Sequence, residues 1–160
     1  MTGVARAEDV FSPQLLQLVY MLDYQYQSDE EQFGYWEYYQ TPDQFSETKK
    51  GDCEDYAIHS YAILKYVGYE AQMFTVYFKE GGHAVTVFKY YGQYNIFSNG
   101  FIYETPEIDP VDAVKYLYPT WKIICKFHPP KYGKINLWNH LMSDSVVSWR
   151  LFVPKQEVKK

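Results

Sequence analysis

Apolar positions along the chain follow two periods, and the change from one to the other divides it. Ser12-Pro13 is an N-cap and first-turn pair, and Leu15, Leu16, Val19, Leu22 and Tyr26 follow at helical spacing, which predicts a helix from about Pro13 to Gln25. Thr41-Pro42 is a second such pair and starts a short helix to about Glu47, with Lys49-Lys50-Gly51 as the turn after it. From Cys53 to Val67 the positions Tyr56, Ala57, Ser60, Tyr61, Leu64 and Val67 keep a period near 3.6, and Gly68 stands where a helix usually ends. Beyond it the period falls to two, over Gln72–Phe78, His83–Lys89 and Gln93–Phe97, with turn signals at Lys79–Gly82 and Tyr91-Gly92. A short helix at Pro110–Leu117, a strand at Trp121–Phe127, a Pro/Lys/Gly loop at Pro129–Lys134 and a strand at Val146–Val153 complete the expected elements. Ser28–Tyr39, which mixes acidic and aromatic residues, predicts no element.

Helices followed by an antiparallel run point to an α+β fold with the sheet packed on the Cys53 helix. No repeat, low-complexity tract or linker is visible, so the 160 residues read as a single domain. A net charge of -5 with scattered basic residues argues against nucleic acid as a partner, because phosphate binding needs a basic patch. No apolar run approaches the ~20 residues of a membrane span, and the first residues lack a secretory pattern. The expectation is a soluble protein, cytoplasmic as encoded, or extracytoplasmic if the numbering is that of a mature form. Tyrosine fills 18 positions, an excess that suits either an aromatic binding groove or a Tyr-rich core edge.

The two cysteines lie in different contexts, so neither a structural disulfide nor a zinc site is expected. Cys125, among Ile123, Ile124 and Phe127, reads as core. Cys53 stands at a helix start, and Gly82-His83 follows thirty residues later. A helix N-terminus and a histidine both favour ionisation of a thiol, so this pair is the candidate nucleophile and base. His59 falls on the helix face away from Cys53 and is expected in solvent, and His128 and His140 carry no assigned role.

The stretch Tyr39-Gln40-Thr41-Pro42-Asp43-Gln44-Phe45, followed by Gly51-Asp52-Cys53-Glu54-Asp55-Tyr56-Ala57-Ile58 and later by Gly82-His83-Ala84-Val85, resembles the transglutaminase-like superfamily. Within it the closest likeness is to the bacterial transglutaminase-like cysteine proteinases, over roughly Trp36–Asn99. The resemblance implies a papain-like core in which Cys53 attacks an amide carbonyl, His83 accepts and returns the proton, and an acidic residue on the next strand orients the imidazole. No acid stands at that third position. A two-residue turn at Tyr91-Gly92 pairs Lys89 with Tyr94 and Val85 with Ser98, which puts Ser98 there; a β-bulge would shift the register and bring Asn99 instead. Asn99 is the expectation, with Ser98 as the alternative.

For the oxyanion, the backbone N–H of Cys53 is one expected donor, and Tyr39, Gln40 or Trp36 supplies the second. The resemblance also implies that Asp52, Glu54 and Asp55 could bind calcium, although the same acids complement a helix N-terminus without any metal. No cofactor is required. The implied activity is a thiol hydrolase, a cysteine peptidase or amidase, cleaving a peptide or isopeptide bond of a protein substrate through a Cys53 thioester. The alternatives are a transglutaminase, acyltransferase or deamidase using the same residues, or a degenerate member that only binds peptide.

Overall fold

Side-chain caps start the third, fourth and fifth helices of the chain, whereas the first two have none, Ser12 included. A computed structural model describes residues 5–129, 132–136 and 145–150 and opens with α1 (Ala7–Val10) and α2 (Pro13–Asp23). Of the α2 stripe only Leu16 is buried, together with Pro13 and Tyr20, while Leu15, Val19 and Leu22 face out. The acidic–aromatic stretch that lacks periodicity holds β1 (Gln25–Tyr26), α3 (Asp29–Phe33) and β2 (Tyr38–Tyr39). Ser28 Oγ caps α3 by accepting the Glu31 N–H, and Gly34 closes it at φ 70°. The helix α4 (Pro42–Thr48) starts from a Thr41–Gln44 capping box, and β3 (Lys50–Gly51), where the sequence predicts a turn, pairs parallel with β1. These short pieces wrap the start of α5 (Cys53–Val67), which Asp52 and Asp55 cap and Gly68 ends at φ 111°.

The period-two region becomes β4 (Ala71–Phe78), β5 (Gly81–Tyr90) and β6 (Gln93–Ser98), joined to the short β7 (Phe101–Tyr103). Next come α6 (Pro110–Leu117), β8 (Ile123–Lys126), β9 (Gly133–Lys134) and β10 (Ser145–Trp149). The sheet order is β10-β8-β4-β5-β6-β7, all antiparallel, while β2 and β9 pair separately. Residues 151–153 of the expected last strand, the Pro130-Lys131 step of the loop and His140 lie outside the described residues. Among the described residues no helix is long and apolar enough to cross a membrane.

Alternation along β5 divides the core between two helices. Ala84, Thr86 and Phe88 face α5, whereas Val85 and Val87 join Ala113 and Val114 of α6 with Trp121 and Ile124. Val85, Val87, Phe88, Leu64 and Val114 are fully buried, each worth about 1.5–3 kcal/mol by removal of apolar surface from water. Thr86 is the polar exception, and it is satisfied: its hydroxyl donates to Ala57 O at 2.7 Å and accepts from Ser60 Oγ at 3.0 Å. Cys125 is buried in the core.

His59 is not in solvent. The α5 face opposite Cys53 is covered by α2 and α4, so His59 is 4% exposed, with Tyr20 Oη at 2.7 Å from Nδ1 and Ser46 Oγ at 3.0 Å from Nε2. The rings of Tyr20, Tyr24 and Phe45 surround it. Burial pushes its pKa down to about 4, so the fold favours the neutral ring. That contribution is complete above the unfolded value near 6.5 and is lost as pH falls towards 4, by about 3 kcal/mol in total. Urea unfolding at pH 7.5 and pH 4.5 should therefore show a fall in stability that is smaller in His59→Gln than in the wild type.

Candidate active site

The start of α5 is held by one carboxylate. Asp55 accepts from the Asp52 N–H at 3.1 Å, the Gln40 N–H at 3.0 Å and Gln40 Nε2 at 3.1 Å, while Asp52 Oδ1 accepts the Asp55 N–H in return. Gly51 is required beside it, since a Cβ there would stand 2.5 Å from Asp55 Oδ2. Gln40 gives its other amide hydrogen to Lys50 O at 2.8 Å. Both hydrogens of the Gln40 amide are thus spent on the scaffold, which removes Gln40 as an oxyanion donor. Tyr39 is fully buried with its ring edge-on to Phe127, inside the cluster that also holds Ala57, Ile58 and Cys53.

Cys53 occupies the first position of α5, so its own N–H has no intrahelical acceptor. The thiol donates to Glu54 Oε2 at 3.2 Å, and the Ala84 N–H at the start of β5 stabilises its thiolate form. Desolvation, and then the charges of Glu54 and Asp52, push the thiol pKa well up. A helix N-terminus alone suggests the reverse, and the flanking acids outweigh it.

His83 is the third residue of β5 and turns towards α6. Its Nε2 lies 2.6 Å from Ser98 Oγ, and no hydrogen bond reaches Nδ1 among the described residues. Burial lowers the pKa of the ring. The register runs without a bulge from Tyr90–Gln93 to Thr86–Phe97, which brings Ser98 and not Asn99 to the histidine. Asn99 (φ 48°) and Gly100 (φ 84°) are the central residues of the tight turn joining β6 to β7, where Ser98 pairs with Phe101. The Asn-Gly pair is a hairpin signal in the sequence itself, and it explains both the unexpected β7 and the loss of Asn99 from the site. Tyr118, the C-cap of α6, was missed: its hydroxyl donates to Ser98 Oγ at 3.1 Å and its ring stands 5.8 Å from that of His83.

A family model described as a transglutaminase-like domain matches residues 13–120, more than half of the chain. The chain belongs to the transglutaminase-like family. Among solved structures it is similar to LapG of Legionella pneumophila. The EGTA-treated form has 16% identity, with 81% of this chain and 75% of that chain covered and a TM-score of 0.48; the calcium-bound form has 21% identity, 79% and 76% coverage and a TM-score of 0.47. No curated protein matches.

This transglutaminase-like site carries a cluster of acids beside its thiol. Asp29, Asp52 and Asp55 each bring a carboxylate oxygen within 4.8 Å of the others. Asp29 comes from α3, which the sequence pattern does not predict, and it replaces Glu54 in the expected trio. Burial, reinforced by neighbouring carboxylates, raises Asp29 to about 9 and Asp52 to about 10. Asp29 Oδ2 accepts the Tyr38 N–H at 2.8 Å, while its Oδ1 is buried with no hydrogen-bond partner among the described residues. Oxygen donors crowded together with one left unsatisfied fit a hard cation. Glu54 points to the thiol, and burial raises it to about 7. Removing its charge should free the thiolate: in Glu54→Gln, iodoacetamide should alkylate Cys53 several-fold faster at pH 7.5 than in the wild type, read by mass spectrometry of the labelled peptide.

Proposed function

We propose that the protein is a thiol hydrolase, a cysteine peptidase or amidase that cleaves a peptide or isopeptide amide through a Cys53 thioester. One observation carries this reading: His83 Nε2 is engaged by Ser98, which leaves Nδ1 as the ring nitrogen open to the thiol of Cys53, whose thiolate the adjoining Ala84 N–H favours. In the first step His83 Nδ1 takes that proton and the sulfur bonds to the amide carbon. The carbonyl oxygen becomes an oxyanion facing the Cys53 N–H. His83 then protonates the leaving nitrogen as the C–N bond breaks, giving the thioester. Water, deprotonated by the same ring, attacks the thioester and restores the thiol with release of the acid.

An amine in place of water would make the same site a transglutaminase or acyltransferase, and water acting on a glutamine side chain would make it a deamidase. Incubation with a glutamine-containing protein and a labelled primary amine separates these: hydrolysis leaves the label unincorporated. The proposed pair predicts that Cys53→Ala abolishes iodoacetamide labelling at position 53 and that His83→Ala slows it about tenfold or more. Equal rates in wild type and His83→Ala would remove the base. A degenerate, peptide-binding member is the second reading, motivated by Ser98 at the acid position. It predicts no release of a new carboxylate from any casein or gelatin substrate despite binding.

The protein substrate remains a class. Calcium fits the acidic cluster, where Asp29, Asp52 and Asp55 would hold it and its charge would offset the repulsion that now disfavours the thiolate. Millimolar calcium should raise the thermal midpoint over that in EGTA, by the equivalent of about 2.7 kcal/mol at a hundredfold excess over Kd, and Asp29→Asn should remove most of the shift.

A further inference from the structure

A carboxylate beside a catalytic imidazole can only accept, so it fixes which ring nitrogen carries the hydrogen. A serine hydroxyl both donates and accepts, and leaves that choice open. Ser98 Oγ lies 2.6 Å from His83 Nε2 and 3.1 Å from Tyr118 Oη, and at 9% exposure it has little access to water. Two hydrogen-bond directions therefore compete along one line. In the first, which the structure shows at its Tyr118 end, Tyr118 donates to Ser98. Ser98 is then free to donate to Nε2, so the ring hydrogen sits on Nδ1, where it blocks transfer from the Cys53 thiol. In the second, Nε2–H donates to Ser98, Ser98 donates to Tyr118 Oη, and Nδ1 is bare.

Resting on the thiol hydrolase reading, we propose that Tyr118 is a positioning residue: by accepting the Ser98 hydrogen it allows His83 to hold the Nε2–H tautomer that the first proton transfer needs. Three features support it. Tyr118 stands at the end of α6 with its backbone N–H bonded to Val114 O, and its ring is packed between Phe78 and His83, so its oxygen is held at a set place. It is a partly buried residue whose own hydrogen turns away from Ser98 when the line reverses. Ser98 has no other hydrogen-bond partner among the described residues, so without Tyr118 Oη its hydrogen has nowhere to go but Nε2. A hydroxyl pair thus does the work of the missing acid, as a short chain of mutually polarised bonds.

The test uses the full chain labelled with 15N-histidine, with long-range 1H–15N correlation of the His83 ring at a pH where it is neutral. The expected result is mainly Nε2–H in the wild type and mainly Nδ1–H in Tyr118→Phe, accompanied by a roughly three- to tenfold slower alkylation of Cys53. Adding Ser98→Asp to Tyr118→Phe should restore both the tautomer and the rate, because a carboxylate needs no second hydroxyl. A wild-type ring mainly in the Nδ1–H form, or a tautomer unchanged by Tyr118→Phe, overturns the proposal. The wild-type spectrum decides even if the variant fails to fold. Loss of the underlying reading has a different signature: His83→Ala would leave alkylation unchanged, while the tautomer measurement would still report on Tyr118.

Discussion

The Asp55 carboxylate is the point on which the rest of the molecule turns. Three donors from two segments converge on it, and two of them belong to Gln40, thirteen positions before Cys53. Through them the irregular chain between α3 and β3 is fastened to the helix that carries Cys53. Gly51 is the steric condition for this arrangement. A buried carboxylate stripped of those donors would cost several kcal/mol, so helix start, connecting segment and thiol are positioned together.

The same economy creates a tension. Acids that cap and fasten the helix also crowd the thiol, and after burial they are the second force opposing its ionisation. The helix N-terminus contributes about half a unit of positive charge, which burial of the sulfur together with Glu54 and Asp52 outweighs. The proton on the sulfur therefore rests against Glu54. A cation among the acids would relieve that field and favour the thiolate.

Much of this was legible in the sequence. The two periods located α5 and the meander of β4, β5 and β6, because a long helix and paired strands each repeat their pattern several times. The two-residue turn at Tyr91-Gly92 was enough to pair Lys89 with Tyr94 and to carry the register to Ser98. The bulge invoked for Asn99 failed because Asn99-Gly100 had its own use as a hairpin turn. Elements of two or three residues, such as β1, β3 and β7, are too short to show a period. Asp29 and Tyr118 reach the site by tertiary packing from distant segments, and no local spacing announces either. His59 was misplaced because a helical face opposite one apolar stripe is solvated only if nothing packs there, and α2 and α4 do.

The crowding of Asp29, Asp52 and Asp55 carries a corollary for evolution. Asp29 and Asp52 are held close to others of their own sign, away from water, so an amide of the same shape at either would relieve the fold wherever its hydrogens find acceptors, whereas Asp55, whose oxygens accept three N–H bonds, is not open to that change. Selection for heat tolerance alone would push such positions towards asparagine. Their persistence as acids would mark a chain in which robustness has been traded for what the cleft does.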